Sequence, residues 1–249
     1  MNEPNLNVII LANRQLTGES EISIEYPAYL SQQNGISVLE KLIHSCGQLQ
    51  NPNVIFAALQ KDVARFNLKQ VLKRLDPDIK VSITPNLTMG SACTALLTAC
   101  SEKQDAELLI LSANEVVDID LSEVIEYFRS MSFDAGTVVF KSIHPMYSYV
   151  KLESERKIIE FAQREQISQF ATTGLFWFRE TQEFVDSLKS LLRNRTPISG
   201  NYFVGLALNE TILKGKTVGS FQLDEGRYFP LKNDAQVRKY ELGAGSGNL

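Results

Sequence analysis

Gly90-Ser91-Ala92-Cys93-Thr94-Ala95-Leu96-Leu97, followed by Leu108-Leu109-Ile110-Leu111-Ser112-Ala113-Asn114-Glu115, is the stretch that decides the fold. The first segment reads as the start of a helix, the second as a buried strand that runs out into a polar loop. Small residues at a helix start admit a flat ligand close to the backbone. The free N–H groups there suit an acceptor atom or an anion. The carboxyl end of such a strand opens on the crevice where open α/β sheets bind ligands. The two segments together mark the expected binding site.

Toward the N-terminus the same rhythm continues. Asn7-Val8-Ile9-Ile10-Leu11-Ala12 is a short apolar run rich in β-branched residues, hence a buried strand. A long polar loop follows, from about Asn13 to Asn34, and loops of that length usually serve function. Ser37 with Glu40 fits a capping box at the start of a helix through Ile43. Val54 to Leu59 is a second strand, Asp62 to Leu75 one amphipathic helix and Ile79 to Ile83 a half-exposed third strand. Asp120-Leu121-Ser122-Glu123 opens a further helix through about Met131. This alternation of strand and helix predicts parallel strands with right-handed crossovers.

From Gly136 the rhythm changes. Gly136 to Phe140, Tyr147 to Leu152 and Gly174 to Phe178 are strand-like with little helix between them, so the sheet is expected to become mixed. Helices resume at about Glu180 to Leu192 and Tyr202 to Leu213, and Thr217 to Phe221 is a last short strand. There is no internal repeat and no linker. One domain over residues 1–242 is expected, with Gly243-Ala244-Gly245-Ser246-Gly247 in a flexible end through 249.

Composition excludes several functions. With 249 residues and 44% hydrophobic side chains, the chain can bury a large core. A net charge of -4 and no basic run argue against gripping nucleic acid. No apolar run reaches the roughly 20 residues that span a bilayer. The apolar run from Val8 to Ala12 is too short for a signal-peptide core, so a cytoplasmic location is expected. Cys46, Cys93 and Cys100 are odd in number and sit in apolar contexts, which argues against a disulfide framework. Sequons at Asn86, Asn194 and Asn209 are read as chance for want of a secretory signal.

A family resemblance lies in the order of the motifs. Gly90-Ser91-Ala92-Cys93-Thr94 with Leu96-Leu97, and Leu108-Leu109-Ile110 to Asp118, look like the central motifs of bacterial sugar nucleotidyltransferases of surface-polysaccharide biosynthesis. The likeness continues through Ala135 to Phe140, His144 to Val150, Ile167-Ser168, Ala171 to Phe178 and Tyr202-Phe203-Val204 to Asn209-Glu210. It is weak before residue 85. It implies a single-domain, Rossmann-like (GT-A-like) α/β fold with a mixed, mostly parallel central sheet. It also implies transfer of a nucleotidyl group from an NTP to a sugar phosphate, with release of pyrophosphate. The nucleotide would meet Leu11, Ala12, Gly90, Ser91, Ala92, Asn114 and Glu115, and the acceptor would sit near Arg164, Gly174, Asn209 and Glu210.

The sequence departs from that family at each device for handling phosphate. The loop after the first strand reads Asn13-Arg14-Gln15-Leu16-Thr17, without glycine until Gly18; Arg14 could reach a phosphate only out of register. Tyr26-Pro27-Ala28 has alanine where the family has lysine. Asn114 stands where a metal-binding Asp belongs, and a neutral amide oxygen holds Mg²⁺ less well than a carboxylate. Arg227-Tyr228-Phe229-Pro230-Leu231 lacks the second metal Asp, and Gln163-Arg164 replaces a Glu-Lys pair.

Asp118 and Asp120 have the DxD spacing of metal-dependent glycosyltransferases and could hold Mg²⁺ or Mn²⁺ with Asn114; Asp120 as a helix cap is the stronger reading. Glu115 could replace the lost metal Asp by a one-residue shift, but a solvated loop residue is the stronger reading. His44, His144 and the thiols form no zinc pattern. Phe176-Trp177-Phe178 reads as core. The expectation is a nucleotidyltransferase-like protein that binds a nucleotide or a sugar phosphate, with its catalysis lost or altered. The rivals are a noncatalytic scaffold with a protein partner and a glycosyltransferase using Asp118 and Asp120.

Overall fold

The computed structural model describes residues 6–12, 26–85, 88–154 and 156–243. Arg14, Gln15 and Leu16 in the long loop, the Asn86-Leu87 pair of one sequon, and the tail from 244 lie outside the described residues. In chain order the first half runs β1 (Leu6–Leu11), β2 (Gln32–Gln33), β3 (Ile36–Ser37), α1 (Val38–Gly47), β4 (Pro52–Leu59), α2 (Gln60–Arg65), α3 (Leu68–Leu75), β5 (Lys80–Thr84) and α4 (Ser91–Ala99). It goes on with β6 (Glu107–Ser112), β7 (Glu115–Val117), α5 (Leu121–Ser130) and β8 (Ala135–Lys141). The remainder is β9 (Tyr149–Leu152), β10 (Lys157–Ala162), β11 (Phe170–Phe178), α6 (Thr181–Asn194), α7 (Leu206–Leu213), β12 (Val218–Gln222), β13 (Tyr228–Pro230) and α8 (Asp234–Glu241).

Period-two alternation sorts the central strands onto two cores. Val8 and Ile10 of β1 and Leu109 and Leu111 of β6 face one core, which α1, α3 and α5 cover with Leu39, Leu72 and Phe128. Ile9, Leu11, Leu108 and Ile110 face the other, under α4, α6 and α7. Strands buried on both faces need continuous apolar runs, which is why these two are the most legible in the sequence. Phe176 and Phe178 enter one core and Trp177 the other, where its ring stacks on Phe128 at 5.5 Å, so this triplet is core as expected.

The nine-stranded sheet has the order β5-β4-β1-β6-β11-β8-β12-β10-β9. It is mixed but not mostly parallel. Among the described residues, β5–β4, β4–β1, β1–β6 and β8–β12 pair parallel, while β6–β11, β11–β8, β12–β10, β10–β9 and β11–β9 pair antiparallel. The β9–β11 pairing closes the last five strands into a small barrel. The change of direction falls at β11, because β8 to β11 connect without crossover helices.

Local rules explain several details. Ser37 and Glu40 form the expected capping box on α1: the Glu40 N–H donates to Ser37 Oγ at 3.1 Å, and Glu40 Oε2 accepts from the Ser37 N–H at 2.6 Å. The single helix expected over 62–75 is broken into α2 and α3, because Asn67 takes a left-handed conformation at φ +50°. Cys46, Cys93 and Cys100 are free thiols. No helix among the described residues is long and apolar enough to cross a membrane.

A buried ion pair absent from the sequence reading ties β6 to α5. Arg129 donates from Nε and a terminal nitrogen to the two oxygens of Glu107, both at 2.9 Å, and Glu107 is only 3% exposed. Trp177 Nε1 also approaches Glu107 at 3.4 Å. Removing the cation strands a buried carboxylate. Arg129→Met is therefore expected to lower the unfolding free energy by about 3 kcal/mol in urea titrations, whereas Arg193→Met on exposed α6 surface leaves it unchanged.

Candidate functional site

A cavity of about 200 Å³ opens at the carboxyl ends of β1 and β6. Leu11, Ala12, Ser112, Asn114 and Glu115 line it from these ends, Ser91 from α4 and Gly174 from β11. Arg164 joins them from the turn after β10, with its backbone at φ +55°. A non-glycine residue in that region is uncommon, and such positions cluster at functional sites. The cleft thus collects Leu11, Ala12, Ser91, Asn114, Glu115, Gly174 and Arg164.

Gly90 and Ala92 do not line it. The Ala92 N–H donates to the Tyr202 carbonyl at 3.1 Å, and the Tyr202 N–H donates to Met89 O at 2.7 Å. A Cβ on Gly90, at φ +101°, would stand 2.3 Å from that Tyr202 carbonyl oxygen. The glycine admits the protein's own backbone, while Ala92, Ala95 and Ala99 pack into the core beneath α4. This close approach takes the place of the flat ligand that the small residues suggested.

Asn209 and Glu210 also serve structure rather than the cavity. Asn209 accepts the Phe161 N–H and donates to the Phe161 carbonyl, each at 2.8 Å, clamping α7 to β10. Glu210 accepts from Ser190 Oγ at 2.6 Å and from Arg195 Nε at 3.4 Å, joining α7 to α6. Their polar groups are thereby spent away from an acceptor.

The metal-ligand expectation fares similarly. Asp118 and Asp120 are exposed and do not line the cleft, and Asp120 caps α5 by accepting the Ser122 N–H at 2.8 Å. The Asn114 carbonyl accepts the Leu231 N–H at 3.0 Å. Among the described residues, no group of three or more His, Cys, Asp or Glu is placed to hold an ion. Of the three residues read as metal ligands, Asn114 alone lines the cleft.

Glu115 is the main surprise. It is 4% exposed rather than solvated. Its carboxylate accepts the Gly174 N–H and, at 2.9 Å, the Tyr228 hydroxyl. A side chain at 174 would collide, since a Cβ there would lie 2.5 Å from Ser112 Cβ and 2.9 Å from Glu115 Oε1. Burial raises the Glu115 pKa above its ordinary value, opposed by the charge of Lys232 and by the two hydrogen bonds. The Tyr228 phenol is pushed up by burial and then by the Glu115 charge.

Lys232 went unnoticed in the sequence. It lines the cleft with solvent-exposed surface, and its ammonium lies 5.0 Å from the centre of the Tyr147 ring. Crowding by protein lowers its pKa; Glu115 opposes this and Arg164 reinforces it. Its sequence signal was the Asn233-x-x-Gln236 start of the missed helix α8. The Gln236 N–H donates to Asn233 Oδ1, and Gln236 Oε1 accepts the Lys232 N–H, fixing that backbone. On the opposite margin, Tyr29 lines the cleft beside Asp62 and Arg65. Its phenol oxygen is buried and has no hydrogen-bond partner among the described residues.

This architecture defines the class: the fold is that of the sugar nucleotidyltransferases. A nucleoside-diphosphate-sugar pyrophosphorylase from Vibrio cholerae RC9 superposes with a TM-score of 0.73 at 16% identity, covering 95% of this chain and 99% of its own. A putative glucose-1-phosphate thymidylyltransferase from Bacillus anthracis gives 0.75 at 12% identity, with 98% and 97% covered. The inositol-1-phosphate CTP transferase from T. maritima gives 0.69 at 17%, with 92% and 90% covered. No protein-family model and no curated protein matches the chain.

The electrostatics give a signed expectation. The folded pKa of Glu115 lies above the ordinary 4.5, so the folded state holds its proton more tightly than the unfolded chain does. The resulting stabilisation is full below that value and is lost as pH rises through the folded pKa. Glu115→Gln keeps the acceptor but cannot titrate. The stability of wild type relative to Glu115→Gln should therefore fall on going from about pH 4 to pH 8, as read by urea unfolding.

Proposed function

We propose that this chain binds a nucleotide or a phosphorylated sugar in the cleft, within sugar-nucleotide or surface-polysaccharide metabolism, and that its nucleotidyl transfer is weakened or lost. The observation that carries the reading is the cavity at the carboxyl ends of β1 and β6 with Arg164 on its wall, in a fold shared with sugar-nucleotide enzymes. Open α/β sheets place ligands at that position, and a guanidinium suits phosphate or carboxylate. The cytoplasm, with its pool of nucleotides and sugar phosphates, is the compartment this reading implies.

Weakened transfer follows from the donors. Phosphoryl-type transfer depends on neutralising developing charge. Asn114 supplies an amide where the resemblance implies a carboxylate, and the Glu115 oxygens already accept from Gly174 and Tyr228.

The test is calorimetric titration with nucleoside triphosphates, nucleotide sugars and sugar phosphates, alongside a pyrophosphate-release assay. At least one ligand should bind, Arg164→Ala should weaken it by about tenfold, and turnover should be slow or undetectable. Rapid pyrophosphate release would overturn the loss of catalysis. No binding by any of these ligands would overturn the reading and favour a scaffold with a protein partner.

A further inference from the structure

We propose that Lys232, acting with Arg164, forms a metal-independent anion site in the cleft that takes the phosphate or pyrophosphate part of the ligand. The inference rests on the proposed function and specifies how the bound ligand's charge is met.

Two cations line one cavity, on segments far apart in the chain, and the fold holds them there. Arg164 lies in the left-handed turn after β10, and Lys232 immediately follows the β13 segment that Glu115 anchors through Tyr228. Among the described residues neither Lys232 nor Arg164 forms a salt bridge; the Lys232 ammonium lies over the face of the Tyr147 ring and within electrostatic reach of Glu115. Their mutual repulsion helps hold the Lys232 pKa down. An anion placed against both would relieve that repulsion and supply the ammonium with acceptors, so binding and local electrostatics favour the same state.

The position of Lys232 gives the inference its content. It stands directly before the C-terminal helix α8, in the region where the family resemblance implies a metal-binding carboxylate. A lysine there repels a divalent cation and places a positive charge on the same side of the cleft. Asn114, neutral, is consistent with a site that no longer assembles around a dication. Glu115 attracts the Lys232 ammonium but makes no ion pair with it, its two oxygens accepting from Gly174 and Tyr228.

The experiment is isothermal titration of the full chain with inorganic pyrophosphate, once in EDTA and once in MgCl₂. It compares wild type with Lys232→Met, Lys232→Arg and the exposed-surface control Lys189→Met, each first shown to melt as wild type does. Pyrophosphate should bind in EDTA. Lys232→Met should weaken it by about tenfold or more, Lys232→Arg should restore much of the affinity, and Lys189→Met should match wild type. Binding that appears only with Mg²⁺, or that Lys232→Met leaves equal to Lys189→Met, overturns the inference while the nucleotide-binding reading stands. If Lys232→Met melts early, the wild-type comparison of EDTA with MgCl₂ and the Lys232→Arg titration decide the matter. Absence of binding by pyrophosphate, nucleoside triphosphates and sugar phosphates under both conditions overturns the reading of the cleft itself, and the inference with it.

Discussion

The buried carboxylate of Glu115 is the constraint on which the cleft depends. It joins three segments distant in sequence: the start of β7, the middle of β11 through the Gly174 N–H, and β13 through Tyr228. The β7–β13 pairing, with Glu115 opposite Pro230, then delivers Leu231 and Lys232 to the cavity. A charged group in such a place costs several kcal/mol unless its acceptor sites are filled. Here two donors fill them, and burial favours the protonated form besides. Gly174 is a requirement of this arrangement, since any Cβ would displace the carboxylate or Ser112.

The two halves of the molecule divide the work. Of the parallel strands β5, β4, β1 and β6, the carboxyl ends of β1 and β6 line the cleft. The mixed barrel of β8 to β12 supplies the wall that carries Arg164 and Gly174. Helix α8 packs Val237 and Tyr240 with Leu231 against Val38 of α1, which brings the C-terminal segment back over the first strands. The frame is that of its structural neighbours.

Much of the frame was legible in the sequence, for a physical reason. Strands buried on both faces must be apolar throughout, so β1, β4 and β6 announced themselves, as did the Ser37–Glu40 box. Elements held by contacts distant in sequence did not. β10 is clamped by Asn209 of α7, β13 by pairing with β7, and the break at Asn67 depends on one left-handed residue within an unbroken apolar pattern. The site was legible to the same degree. The strand ends and Arg164, singled out in the sequence, line one cleft, whereas Asn209 and Glu210, read as acceptor contacts, hold helices in place. Gly90, read as a place for a ligand, accommodates Tyr202. A glycine or a polar residue looks alike in sequence whether its close neighbour is a ligand or the chain itself. Lys232 reaches the cleft through the β7–β13 pairing and the Asn233–Gln236 cap, contacts that its own sequence neighbourhood does not announce.

The most direct measurement of the central claim is amide hydrogen exchange with and without a saturating nucleoside triphosphate or sugar phosphate. The account predicts slowed exchange at Ser112 to Glu115, at the turn carrying Gln163 and Arg164, at Thr172 to Gly174 and at Leu231-Lys232, all segments that line the cleft. Protection confined to other surfaces, such as the outer face of α6, or no protection under saturating ligand, would contradict it.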